Sequence, residues 1–276
     1  MRWWFACLAC LACQEPDLPK PVVVDCNRPS GVVPLQDLRY VAHAGGSPQG
    51  LEPYEVYTNS REAFEISYRN GFRAFEFDFV RLGDGTVIAA HDAYEPRYGL
   101  DMAFADATRG DVEGRKLDGR YPLLFASDII ELMADYPDVW VIIDSKWEHA
   151  EVARTFVNLT SDESILDRLV PHLASSEHVA ELEALYPFPQ RMVALYRWPL
   201  GDEAIVETMQ ARGLDSVMMW WNQRWTPRAQ RLLDDADIHV WVHTPAQIAV
   251  IDDFLSRGVR VYTDGYIQCP AAADGP

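Results

Sequence analysis

From residue 139 onward the chain alternates short apolar runs with segments of helical character. The runs Val139–Ile143, Ile165–Val170, Arg191–Tyr196, Ser216–Trp220, Ile238–Val242 and Val259–Tyr262 begin roughly every 20 to 27 residues, the repeat of βα units in a parallel sheet. Helix starts stand between them. Thr226-Pro227 and Thr244-Pro245 each set an N-cap residue before a proline at the first helical position. In the last helix Ile248, Ile251 and Leu255 share one apolar face, and Gly258 supplies the stop. Upstream, Tyr40–His43 and Phe72–Phe79 read as two further strands. Between them Asn59 and Glu62 resemble a capping box opening a helix that ends at Gly71. The segment Arg81–His91, turning at Asp84-Gly85, reads as a hairpin extension. Residues 93–135 form an insertion with a helix near Ser127–Asp135. Eight strands in this rhythm predict an α/β protein, a single (β/α)8 TIM barrel.

A barrel of this kind presents its chemistry at the C-terminal ends of its strands. His43 ends the first predicted strand, Glu76 and Asp78 the second, and Asp144 with Lys146 the third. Arg197, Trp220 with Trp221, His243 and Asp264 end the fifth to eighth. Residues two apart on a strand share a face, so Glu76 and Asp78 project together while Phe75, Phe77 and Phe79 take the other side. Paired carboxylates with Asp144 suit a hard divalent cation; Mg²⁺ and Ca²⁺ both fit, because selectivity lies in cavity size and ligand number. His43 and His91 flank this set as a general acid–base pair, and the sequence leaves open which does which. Lys146 offers a point charge to a phosphate oxygen. Asn59, Arg197 and Trp241 join Lys146 as substrate-binding candidates. Trp220, Trp221, Trp225 and Trp241 read either as core or as an apolar rim for lipid chains or a choline head group. His243 and Asp264 read as supporting residues.

The ordered set His43-Ala44-Gly45, Thr58-Asn59-Ser60, Glu76-Phe77-Asp78, Asp84-Gly85, His91-Asp92, Asp144-Ser145-Lys146 and Thr263-Asp264 resembles the glycerophosphodiester phosphodiesterase family, within the phospholipase C-like phosphodiesterase barrels. That family's pattern is His-Arg-Gly, Glu-Asn-Thr, Glu-x-Asp, Asp-Gly, His-Asp, Glu-x-Lys and Thr-Asp. The resemblance implies a metal-dependent phosphodiesterase that releases a phosphomonoester and an alcohol from a glycerophosphodiester-like substrate. It also implies that a neighbouring substrate hydroxyl can attack phosphorus. Three departures stand out. Ala44 replaces the arginine set against the phosphate, Asp144 replaces a glutamate, and Thr58 replaces the glutamate of the turn. The Asp-x-Lys form without that arginine is also similar to sphingomyelinase D-like phosphodiesterases, so a phospholipase D-like action on lysolipids is an alternative. A barrel retained only for ligand binding is another.

The 276 residues carry 24 basic and 42 acidic side chains, a net charge of −18. With 49 % hydrophobic and 24 % charged residues the composition is globular. The acidic balance excludes a nucleic-acid-binding surface and repels anionic bilayers. The expected partner is a small phosphodiester or a lipid head group. Residues 1–13 combine an early arginine with an apolar run too short to span a bilayer, ending Leu11-Ala12-Cys13 in the manner of a lipoprotein signal. Membrane attachment is then expected only through a lipid on Cys13, on the periplasmic side of the cell envelope; a secreted protein is the alternative. Residues 14–37 read as a tether, leaving 38–270 as the barrel. Cys26 and Cys269 flank the predicted strands, and a closed barrel allows them to form a disulfide.

Overall fold

A computed structural model describes residues 22–23, 31–47, 57–145, 148–175, 178–264 and 267–268, with the side chains of residues 22–23, 197 and 267–268 outside the description. Cys13, Cys26, Lys146 and Cys269 also lie outside the described residues. Eight parallel strands close on themselves: β1 (Tyr40–Ala42), β2 (Ala74–Arg81), β3 (Trp140–Ser145), β4 (Leu169–Leu173), β5 (Met192–Ala194), β6 (Ser216–Trp220), β7 (His239–His243) and β8 (Arg260–Thr263). Closure comes from β8 pairing with β1, with Tyr262 opposite Val41, and from β1 pairing with β2, with Ala42 opposite Phe75. The predicted barrel is present.

Alternation divides each strand between two cores. Phe75, Phe77 and Phe79 face outward, fully buried under helices α1 (Arg61–Arg69), α2 (Ala126–Asp135) and α3 (His149–Leu159). The rings of Phe64 and Phe75 lie 4.3 Å apart, and those of Phe79 and Phe156 5.0 Å apart. Each such ring stabilises the barrel wall by about 1.5–3 kcal/mol through burial. Inside the barrel Val41, Ala74, Trp140, Ile142, Val170, Met192, Ala194, Met218, Trp241 and Tyr262 pack as one plug. The residues one pleat above this plug are the polar ones.

Several elements differ from the sequence reading. Ile165–Val170 is not one strand. Asp162 accepts from the Ser164 N–H and opens a helical turn, Glu163–Leu166, so β4 begins only at Leu169. The cap of α1 is Ser60, whose hydroxyl accepts from the Ala63 N–H, and not Asn59. Thr226 does cap its helix, but after Thr244-Pro245 the next helix begins only at Ile248. The C-terminal part of the predicted tether is docked: Trp140 donates to the Val33 carbonyl at 2.8 Å, and Leu35 is buried in the barrel plug. Val22–Val23 pairs in parallel with Ile267–Gln268.

The hairpin prediction holds, with β2 running antiparallel to Val87–Ala89 around Asp84-Gly85. Asp84 serves the turn there, accepting from the N–H groups of Thr86 and Arg109. The insertion beyond it has a core of its own, from Val80, Leu82 and Ile88 to Tyr98, Leu100, Phe104, Val112, Leu117 and Phe125. Among the described residues no helix is long and apolar enough to cross a membrane.

Candidate active site

Parallel pairing of β2 with β3 puts Asp78 opposite Asp144 and Glu76 opposite Ile142. Ligand oxygens of Glu76, Asp78 and Asp144 therefore converge within 4.8 Å of one another, all three side chains buried. Two like charges about 4 Å apart repel by on the order of 4 kcal/mol at an effective dielectric near 20. Local donors offset part of this. The Ala44 N–H donates to Glu76 Oε2 at 2.8 Å, and Asn59 Nδ2 donates to Asp78 Oδ2 at 3.0 Å. The all-oxygen, all-carboxylate donor set fits a hard divalent cation, which would be held by these three residues.

The loop after β1 makes this approach close. Ala44 takes a left-handed conformation at φ 49°, Gly46 stands at φ 97°, and Asn59 at φ 47°. A Cβ on Gly46 would lie 2.0 Å from Ser67 Oγ, so glycine is required for the loop to rest on α1. Strained backbone of this sort collects where the surrounding fold holds functional groups.

His43, at the same loop, is 3 % exposed. Its Nδ1 lies 2.5 Å from Asp264 Oδ1, and its Nε2 lies 3.0 Å from His243 Nε2 and 3.8 Å from Glu76 Oε2. Burial opposes the charged imidazolium. The Asp264 carboxylate, helped by Glu76 and Asp78, outweighs it and pushes His43 up to about 9. His91 lines the same cavity from the insertion, 30 % exposed, with Nδ1 2.9 Å from Asp92 Oδ1. A proton on Nδ1 donated to Asp92 leaves its Nε2 as an acceptor. The ring of Tyr57 stands between them, with centroids 4.5 Å from His43 and 5.2 Å from His91. These groups line one open cavity of about 440 Å³, together with Asp144, His149, Ala174, Tyr196, Trp220 and His243.

Comparison with solved structures finds the same architecture. A glycerophosphodiester phosphodiesterase from Thermotoga maritima aligns over 82 % of this chain and 94 % of its own at 20 % identity, with a TM-score of 0.64. An Oleispira antarctica phosphodiesterase, solved with the product sn-glycerol-3-phosphate, aligns over 83 % and 94 % at 14 % identity and TM-score 0.66. A glycerophosphodiester phosphodiesterase from Agrobacterium tumefaciens aligns over 82 % and 94 % at 13 % identity and TM-score 0.63. The chain has the fold of the glycerophosphodiester phosphodiesterases. No protein-family model and no curated protein matches the sequence.

Of the residues singled out from the sequence, His43, His91 and Asp144 line that cavity, with Glu76 and Asp78 beside Asp144. Two of the substrate-binding candidates, Asn59 and Trp241, are not among the residues that line it. Asn59, 1 % exposed, turns both ends of its amide to Asp78: Nδ2 to the carboxylate, and Oδ1 to the Asp78 N–H at 2.9 Å. It holds a carboxylate in place. Trp241 is fully buried, one pleat below His243, with its ring edge-on to Tyr262 inside the plug. Trp221 and Trp225 pack on the outer core, which leaves Trp220, 40 % exposed and stacked on Tyr196 at 5.6 Å, as the tryptophan at the rim. Of Arg197 only the backbone is described, in the turn Leu195–Arg197, and Lys146 lies outside the described residues.

Asp264 lies against His43, and His243 lines the cavity beside it. Sequence reasoning missed His172. From the inner face of β4 its Nδ1 approaches Asp144 Oδ1 at 3.4 Å, and its Nε2 lies 3.2 Å from the Tyr262 hydroxyl. It also missed Tyr57, on a loop that carries no periodic signal, and His149, the first residue of α3. For His172 the signal existed: it lies an even number of residues from Val170, inside an apolar run.

Proposed function

We propose that this protein is a divalent-cation-dependent phosphodiesterase acting on a glycerophosphodiester-like substrate to give a phosphomonoester and an alcohol. One observation carries the reading: three buried carboxylates converge within 4.8 Å beside His43 and His91. The shared fold with glycerophosphodiester phosphodiesterase structures supports it. So does the sn-glycerol-3-phosphate bound by the Oleispira antarctica phosphodiesterase of the same fold.

Hydrolysis of a diester requires one proton to leave the attacking oxygen and one to reach the departing oxygen. His43 and His91 line one cavity and divide these tasks. Asp264 orients His43, Asp92 orients His91, and Asn59 fixes Asp78. A cation bound by Glu76, Asp78 and Asp144 supplies charge to offset the phosphate oxygens. Among the described residues no lysine or arginine lines the cavity.

The test is elemental analysis for bound metal in the purified protein, followed by a phosphodiester screen. Stoichiometric Mg²⁺ or Ca²⁺ binding with turnover of a glycerophosphodiester is expected; a protein inert toward all diesters with metal supplied would overturn the reading. The lipoprotein assignment is a separate proposal on residues 1–13. Cys13→Ala is expected to release the protein from the membrane fraction, and an unmodified Met1 terminus on the native protein would sink it.

A further inference from the structure

His43 is placed as a catalytic histidine, yet both of its ring nitrogens are engaged with protein. Nδ1 faces Asp264 Oδ1 at 2.5 Å, and Nε2 faces His243 Nε2 at 3.0 Å. The ring is 3 % exposed, with Tyr57 edge-on to it at 4.5 Å and His243 edge-on at 4.5 Å. Of the two imidazoles, His243 is the more exposed to the cavity it lines.

Two ring nitrogens at 3.0 Å hold a proton between them, because two lone pairs would repel and two N–H groups would collide. With His43 donating its Nδ1–H to Asp264 and its Nε2–H to His243, the neutral His243 carries its own proton on Nδ1. Thr244 Oγ1 lies 3.4 Å from that nitrogen, a long contact for a hydrogen bond.

We propose that His243 is a third catalytic histidine, passing a proton from His43 to the leaving alcohol oxygen. The proposal rests on the phosphodiesterase reading above. As the attacking oxygen bonds to phosphorus, it gives its proton to His91. The bond from phosphorus to the alcohol oxygen breaks, and its electron pair stays on that oxygen. That oxygen takes the Nδ1 proton of His243 while His243 Nε2 receives the Nε2 proton of His43. Afterwards His91 returns a proton to water, and the imidazole pair takes one back, so the cycle closes without any other reactant. His91 is thereby the base and the His43–His243 pair the acid.

Leaving-group dependence tests this. Ethyl and 4-nitrophenyl esters of sn-glycerol 3-phosphate share a phosphoryl part, but nitrophenolate departs without a proton. In His243→Asn, kcat/KM for release of ethanol is expected to fall at least about 10²-fold, the scale of general acid catalysis. Release of nitrophenol should fall less than about fivefold, and that activity reports an intact, folded site. His91→Asn should slow both esters alike. Equal losses on both esters in His243→Asn would show a merely structural residue and overturn the proposal, as would unchanged ethanol release. A wild-type enzyme inert to both esters would instead overturn the phosphodiesterase reading itself.

Discussion

The two walls of the cavity hold their histidines in opposite ways. His43 grows from a barrel strand and is 3 % exposed, fixed through Asp264 and His243 on β7 and the end of β8. His91 stands on the insertion, 30 % exposed, with a carboxylate partner adjacent in sequence. The first wall borrows its rigidity from the barrel plug. The second rests on a separate core built around Ile88, Tyr98, Leu100 and Phe104. Such a division suits two proton tasks: a buried, carboxylate-backed imidazole holds its proton, while an exposed one can trade protons with water.

The largest effect should come from the group that both walls serve. Exhaustive chelation is expected to reduce diester turnover to background, and Mg²⁺ or Ca²⁺ to restore it. Asp78→Asn should match the chelated protein even with metal present, measured as kcat on the best diester; turnover that survives chelation breaks the assignment. Next in size are the histidines. His43→Ala and His91→Ala should each lower kcat at least about 10²-fold. Only the first should also destabilise the fold, since replacing a group as exposed as His91 generally changes stability by within about 0.5 kcal/mol. Thermal melts of both variants, taken beside kcat, separate the walls; equal melting shifts would erase the distinction.

How far each wall can be read from sequence follows from the same division. The barrel strands obey a period of two, so Glu76, Asp78, Asp144 and His43 could be placed at strand ends before any coordinates. The strand ends failed as guides where depth within the barrel mattered. Trp241 and His243 share a face, and alternation alone does not say that one is plug and the other cavity wall. Asn59 looked like a helix cap because Ser60, one residue on, has the same capping chemistry. The insertion has short strands and single turns, so its apolar residues carry no usable period, and Tyr57 lies on a loop with none either.

A pH experiment probes the buried wall alone. His43 rises from 6.5 to about 9 in the folded protein, so between those values the folded state binds a proton that the unfolded chain has lost. This contribution is complete below about pH 6.5 and disappears as pH climbs through about 9. In chelated protein the melting temperature should therefore decline across that window, reflecting a change of a few kcal/mol. Asp264→Asn removes the partner that most raises His43 and should flatten the decline. A slope identical in wild type and variant would show that the Asp264–His43 contact does not stabilise the charged imidazole.

The smallest expected effect concerns the ring that touches both walls. Tyr57 meets His43 and His91 edge-on, from a backbone held at φ 60°, a conformation costly for a bulky residue. The arrangement persists because the surrounding site fixes it, which makes the ring a spacer between acid and base. Aromatic contacts of this geometry contribute about 0.5–1.5 kcal/mol beyond simple burial, so losing them should cost at most about tenfold in kcat/KM. Tyr57→Leu is expected to show that loss, and Tyr57→Phe, which keeps both ring contacts, to stay near wild type. If Phe is as damaging as Leu, the phenol hydroxyl takes part in the chemistry, and the two walls are joined by a reacting group and not by a spacer.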